Sequence, residues 1–244
     1  MIDWLRDAHQ NPAITIGETS LPIAIRRHAR AKRLTMRLAP DGSEVRVTLP
    51  TWGRTADALG FAKARAQWIA TQLSKVPRRV SITDGERIAF RGATLRIAWD
   101  AGAGRKPVAQ DCVLRVGGPP EGLESRVRRW LEAEALRLCR DDLAFYCQRA
   151  DLPCPDLRLS RAQRRWGSCS GDRHTGRCIR INWRLVMAPD PVRRSVVAHE
   201  VAHLVHFDHS PAFYALLAQL FEGVLADADS WLKRDGRALY AAFG

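Results

Sequence analysis

The feature that most constrains this chain is a pair of histidines four residues apart, His199 and His203, with Glu200 beside the first, in the run SVVAHEVAHLVHFDHSPAF. The largely apolar stretch from Arg194 to Ala198 leads into it with helical spacing. On a helix, positions 199 and 203 share a face, so both imidazoles reach a single metal ion. Glu200 then holds a carboxylate where it can take a proton from a water at that site. His-Glu-x-x-His is the spacing of zinc peptidases, and five residues match by chance often enough that context decides. Histidines on a helix are otherwise ordinary packed or surface residues, but four of the seven in this chain fall between positions 199 and 209. His209 follows His203 by six residues, room for the chain to leave the helix and return a third ligand. His206 would have to leave the helix sharply to reach the same ion, so His209 is the expected ligand.

At 244 residues the chain is one domain, or one domain with a substantial extension, and it can bury a real core. No stretch approaches 18 continuous apolar residues, and the N-terminus lacks a charged start followed by an apolar core and cleavage site. The expectation is a cytoplasmic protein with no membrane insertion. The six cysteines, at 112, 139, 147, 154, 169 and 178, form no C-x-x-C pair. Cys169 and Cys178 flank a short loop, where a disulfide or second metal site competes with buried free thiols; without a secretion signal, free thiols are expected.

The formal charge is +13, and its distribution is uneven. Arg26, Arg27, Arg30, Lys32, Arg33 and Arg37 crowd one segment, and ten basic residues lie between Arg158 and Arg194 against Asp172 and Asp190. Such fields attract phosphates or acidic polypeptides without reading a base sequence. Nucleic acid is therefore a candidate partner, beside a simple solvated basic face.

Along the chain, residues 1–22 read as a lead-in in which Ile14 and Ile16 can start a strand. Leu34, Met36 and Leu38, then Val45, Val47 and Leu49, alternate with period two around Pro40-Asp41-Gly42, an antiparallel hairpin. Thr55 to Val76 reads as one helix ended by Pro77. Residues 80–117 read as further strands punctuated by glycines, and Gly117-Gly118-Pro119-Pro120 as a boundary before a long helix at 121–149. Strands follow around Leu157 and Leu159 and from Cys178 to Trp183, separated by a polar loop, Gly171 to Gly176. Helices are expected at Pro211–Leu225 and 228–243.

Three segments then combine in order: Arg165-Trp166-Gly167-Ser168-Cys169-Ser170, Ile179-Arg-Ile-Asn182-Trp183-Arg184-Leu185, and His199, Glu200 and His203 followed by His209-Ser210 and Phe213. In order and spacing this resembles the metal-dependent hydrolases related to the SprT and YgjP proteins, and the basic N-terminal segment with its following helix is similar to the YgjP branch. The resemblance implies zinc on the three histidines and Glu200 as catalytic base. An α+β fold is expected, a zincin-like metal-binding helix packed on a small sheet; the boundary at Gly117–Pro120 places that domain at 119–244, preceded by a β-rich region with one helix at 1–118. Histidine at 206 departs from the metzincins, which have glycine there, although His209 keeps their spacing.

The expected activity is zinc-dependent hydrolysis, foremost of peptide bonds, with Glu200 taking the proton of the attacking water. The same resemblance leaves a nucleotide pyrophosphatase acting on a UTP-like triphosphate as the alternative, and a zinc-containing nucleic-acid adaptor behind it. A peptidase calls for an open cleft along the Asn182 strand, where backbone hydrogen bonds could align an extended polypeptide. A pyrophosphatase calls for arginines gathered around a compact phosphate pocket. Asn182, Arg165 and Arg184 are thus candidate substrate-binding residues; Asn182 could equally complete a buried network, and either arginine could serve as a salt-bridge partner. Trp166 and Trp183 are expected to pack the junction of helix and sheet.

Overall fold

The computed structural model describes residues 12–76, 81–171 and 176–243. By their contacts these fall into two compact units, one ending at residue 76 and one beginning at residue 81. Among the described residues there are six α-helices and three small sheets, an α+β fold. No helix among them is long and apolar enough to cross a membrane.

In the first unit, strands β1 (Ala13–Ile16), β2 (Thr19–Arg27), β3 (Thr35–Leu38) and β4 (Val45–Leu49) form a sheet of order β1-β2-β4-β3. The expected hairpin is present: β3 pairs antiparallel with β4, Leu38 opposite Val45. Period-two patterning sets its faces, since Val45, Val47 and Leu49 are buried while Arg46 and Thr48 are half-buried. Helices α1 (Thr55–Lys63) and α2 (Ala66–Leu73) supply Ala58, Ala62 and Ile69 to the same core. The single helix expected over 55–76 is therefore two. The Ala64 amide donates to Gly60 and the Arg65 amide to Ala62, closing the first helix, and nothing in the residues at the break explains it. The expected lead-in before residue 12 and the stop at Pro77 lie outside the described residues.

The second unit opens with β5 (Arg87–Phe90), β6 (Ala93–Trp99), β7 (Val108–Gln110) and β8 (Val113–Val116), in the order β5-β6-β8-β7. The contacts thus divide the chain near residue 78, whereas the sequence placed the division at residue 118. The reason is burial: Ile88, Leu95, Ile97, Leu114 and Val116 share one core with helix α3 (Leu123–Arg149). Gly118 is a turn inside that unit, at φ +88°. Val127, Leu131, Ala135 and Leu138 recur at helical spacing to give α3 its buried face.

A three-stranded sheet follows, β9 (Asp156–Ser160), β10 (Gly167–Ser170) and β11 (Cys178–Asn182), in the order β10-β11-β9. β11 is central, parallel to β9 and antiparallel to β10. Among the described residues the Asn182 strand is therefore paired on both sides, and β10 on one. Residues 172–175 of the expected polar loop lie outside the described residues. After a 3-10 turn, Trp183–Met187, come α4 (Asp190–Ala202), α5 (Pro211–Leu220) and α6 (Leu225–Asp235). Helix α5 stops five residues before the expected end because Phe221 is extended (φ −86°, ψ 125°). The last helix passes into a 3-10 segment, Gly236–Tyr240.

Two contacts fix α4 in this unit. At its start, the hairpin of β5 and β6 meets the 3-10 turn: the amides of Arg91 and Gly92 donate to Val186 and Met187. A Cβ on Gly92 would stand 2.9 Å from Pro189 Cα, so only glycine permits this approach. Along its length, Arg193 Nε donates to Asp142 Oδ2 of α3 at 2.7 Å, both side chains almost wholly buried. Arg193 also pairs with Asp190, and Arg194 with Asp142 and Glu222.

Candidate active site

Helix α4 carries His199 in its last turn and ends at His203, whose backbone is still helical (φ −68°, ψ −13°). The chain turns there, with the His206 amide donating to Ala202. It re-enters helix at α5, where the Ser210 side chain accepts from the Phe213 amide and Pro211 occupies the first turn. His209 is carried back in this short connection. Its Nε2 lies 3.3 Å from His199 Nε2, and His203 Nε2 lies 3.2 Å from the same atom.

Nitrogens about 2.0–2.1 Å from a tetrahedral ion stand about 3.3–3.4 Å apart. The two separations match that spacing, and the three histidine nitrogens all lie within 4.8 Å of one another. The chemistry of the donors agrees. His203 Nδ1 donates to the His206 carbonyl at 2.8 Å, so its Nε2 is left with the lone pair. Burial, reinforced by the neighbouring His203 and His209, lowers the His199 pKa to about 4 and keeps the ring neutral, the form that binds a metal. The fully buried ring of Phe213 sits beneath the set, 4.5 Å from the His203 ring centre and 4.9 Å from each of the other two. These residues fit a metal ion, and His206 contributes a backbone oxygen rather than its ring.

Glu200 is 5% exposed, and its Oε2 has no hydrogen-bond partner. Burial pushes its pKa up to about 7, against the lowering influence of the Cys169 backbone amide and the charge of Arg165. A buried carboxylate with an unpaired oxygen, balanced near neutrality, suits a general base. The Cys169 thiol is raised by burial and by the Glu200 charge, which makes it a poor nucleophile. His199 and Glu200 both line a cavity of about 540 Å³, whose walls include Trp166, Gly167, Leu217 and Leu232.

Of the three candidate substrate-binding residues, only Arg165 lies at this cavity. Asn182 is fully buried: its amide donates to the Ala162 carbonyl at 2.7 Å and to the Tyr240 hydroxyl at 3.3 Å, and its Oδ1 accepts from the Arg184 amide. Arg184 is buried too, its guanidinium over the Trp183 and Tyr240 rings and donating to the Phe243 carbonyl. Trp183 belongs to the core, whereas Trp166 both stacks near Tyr240 and faces the cavity. Sequence reasoning missed the roles of Gly167, the Cys169 amide and the His206 carbonyl. The first had a visible signal, a glycine inside the motif that precedes the metal helix.

Compared with known proteins, the chain matches the family described as YgjP-like, metallopeptidase domain, over residues 32–235. No curated protein and no solved structure matches it.

Proposed function

The chain belongs to the YgjP-like metallopeptidase family, and from that premise we propose that it is a zinc-dependent peptidase with a zincin-like centre. The observation that carries this reading is the convergence of three imidazole Nε2 atoms beside a buried carboxylate with an unpaired oxygen. His199, His203 and His209 would hold the ion. When bound, zinc supplies a Lewis acid for the substrate carbonyl and eases deprotonation of water. Glu200 takes the proton as the water oxygen joins the carbonyl carbon, and returns it to the amine nitrogen as the C–N bond breaks. Gly167 leaves the space in which the Glu200 side chain lies. β10 is the edge strand nearest this chemistry and offers an extended polypeptide its free side.

A polypeptide substrate fits the cavity better than a nucleoside triphosphate. Several cations would be needed around the phosphates, yet Arg165 is the arginine among the lining residues and Arg184 is committed to the core.

Glu200→Gln tests the reading. Glutamine keeps the shape and leaves the three histidines in place, so zinc content and fold should persist while peptide turnover falls roughly 10²–10⁴-fold. Zinc content, thermal unfolding and turnover of peptides and nucleoside triphosphates are measured on one preparation. Turnover at the parent rate with zinc retained would falsify the role of Glu200, and hydrolysis confined to nucleotides would transfer the site to the other reaction.

A further inference from the structure

Among the described residues, the cavity beside Glu200 has one cation that its surroundings do not use. Its walls are largely apolar, drawn from Trp166, Val196 of α4, Leu217 of α5, and Leu225 and Leu232 of α6. Among its charged lining residues, Glu200 is spoken for by the reaction, and Asp229 is held by Lys233 at 2.5 Å. Arg165 makes no ion pair or hydrogen bond among the described residues, and its charge acts on Glu200. Elsewhere in the same basic stretch Arg161 is engaged by Glu132, Arg177 by Phe207 and Arg193 by Asp142, and Arg164 does not line the cavity. Arg165 differs from them in lining this cavity with donors that no described residue takes up.

We infer that this cavity is a specificity pocket for a polypeptide residue that combines a large apolar side chain with an adjacent carboxylate, and that Arg165 receives the carboxylate. The inference rests on the peptidase reading above and names its substrate class. At about 540 Å³ the cavity lies within the range of sites that enclose small molecules, so it has room for a bulky side chain. The apolar side chain supplies the burial. The carboxylate supplies direction, because a guanidinium fork matches two carboxylate oxygens. A substrate lacking the charge leaves that fork unpaired and loses orientation at the scissile bond. The carboxylate can come from a chain terminus ending in the apolar residue or from an aspartate next to it, and the two sources are separable by experiment.

The test uses the full chain carrying Glu200→Gln, loaded with zinc, as an inert binder. Fluorescence anisotropy is read with labelled peptides in matched pairs: a C-terminal Phe as free acid and as amide, an internal Asp-Phe and Asn-Phe, and each with Phe replaced by Gly. The charged member of one pair should bind about tenfold tighter, the low end of what a hydrogen bond to a charged group contributes. Adding Arg165→Gln should erase that difference while the preference for Phe over Gly persists. Adding Leu225→Trp, which fills the pocket, should erase the preference for Phe. Arg165 is exposed, so its replacement should leave zinc content and unfolding unchanged, and both are measured. Equal binding of charged and uncharged members, or a difference that survives Arg165→Gln, overturns the inference. If no peptide binds although the parent chain cleaves a polypeptide, the inference fails and the peptidase reading stands. If the parent cleaves no polypeptide, both fail.

Discussion

Gly167 and Glu200 occupy each other's space: a Cβ on Gly167 would lie 2.7 Å from Glu200 Cγ and 2.8 Å from its Cδ. Neither atom is the free end of a flexible chain, because both lie within a side chain that is itself buried. Gly167→Ala should therefore push the carboxylate out of place while leaving the three histidines alone. Displacement of a catalytic group by about 1 Å costs roughly 10²-fold in rate. The expected result is normal zinc content and a kcat lower by about that factor, read by steady-state kinetics on a cleaved peptide. An alanine variant that works at the parent rate would show that Glu200 has slack the structure does not reveal.

That pair also shows what could and could not be read in the residues. The approach of His199 and His203 was legible because they lie within one helical turn of each other, and the return of His209 because only a short connection separates it from His203. The β3–β4 hairpin was legible from period-two alternation around a proline–glycine turn. Asn182 was not legible, since its partners Ala162 and Tyr240 stand 20 and 58 residues away. The same distance in sequence hid the Arg193–Asp142 pair, and it hid the packing of β5 to β8 against α3 that moved the division between units from residue 118 to near 78.

His209 and His206 should differ sharply when removed. His209 brings an Nε2 to the cluster, and His206 brings only its carbonyl, which alanine also possesses. The parent chain is expected to hold about one zinc ion. His209→Ala should weaken zinc by more than the roughly 10–100-fold typical of losing a supporting group. His206→Ala should leave affinity nearly unchanged. Chelator competition measures both, and equal losses in the two variants would contradict the ligand assignment.

Asp142 is the buried anchor of the metal helix, accepting from Arg193 at 2.7 Å and from Arg194 at 3.2 Å. Asp142→Ala leaves the Arg193 guanidinium without its principal partner in the core. Removing one member of a buried pair costs about 3–5 kcal/mol. Urea unfolding should show a loss of that size. The double change Asp142→Leu with Arg193→Met should recover much of it, because an apolar pair of similar volume carries no charge to desolvate. If Asp142→Ala unfolds at the parent midpoint, the pair is not what holds α4 to α3.

Asp190, in the first turn of α4, sets part of the acid limit of stability. Burial tends to raise its pKa, but the hydrogen bonds and charges of Arg91 and Arg193 outweigh it, and the folded carboxyl lies below its usual value. A depressed folded pKa means that the unfolded chain binds the proton more readily. The stabilisation is therefore fully present above the unfolded value of about 3.9 and is lost as the pH falls through the folded one. Glu222 is shifted in the same direction: burial tends to raise its pKa too, but hydrogen bonds, including those from Tyr146 and Arg194, hold it below its usual value, so Asp190 is not alone in this window. Asp190→Asn should lower the unfolding midpoint at pH 7 and make its decline below about pH 4 shallower, without abolishing it. Thermal unfolding of both proteins from pH 7 to pH 2 reads the difference, which should shrink as the pH falls. A gap between parent and variant that stays constant across that range would mean that the ion pairs of Asp190 contribute nothing that its amide cannot.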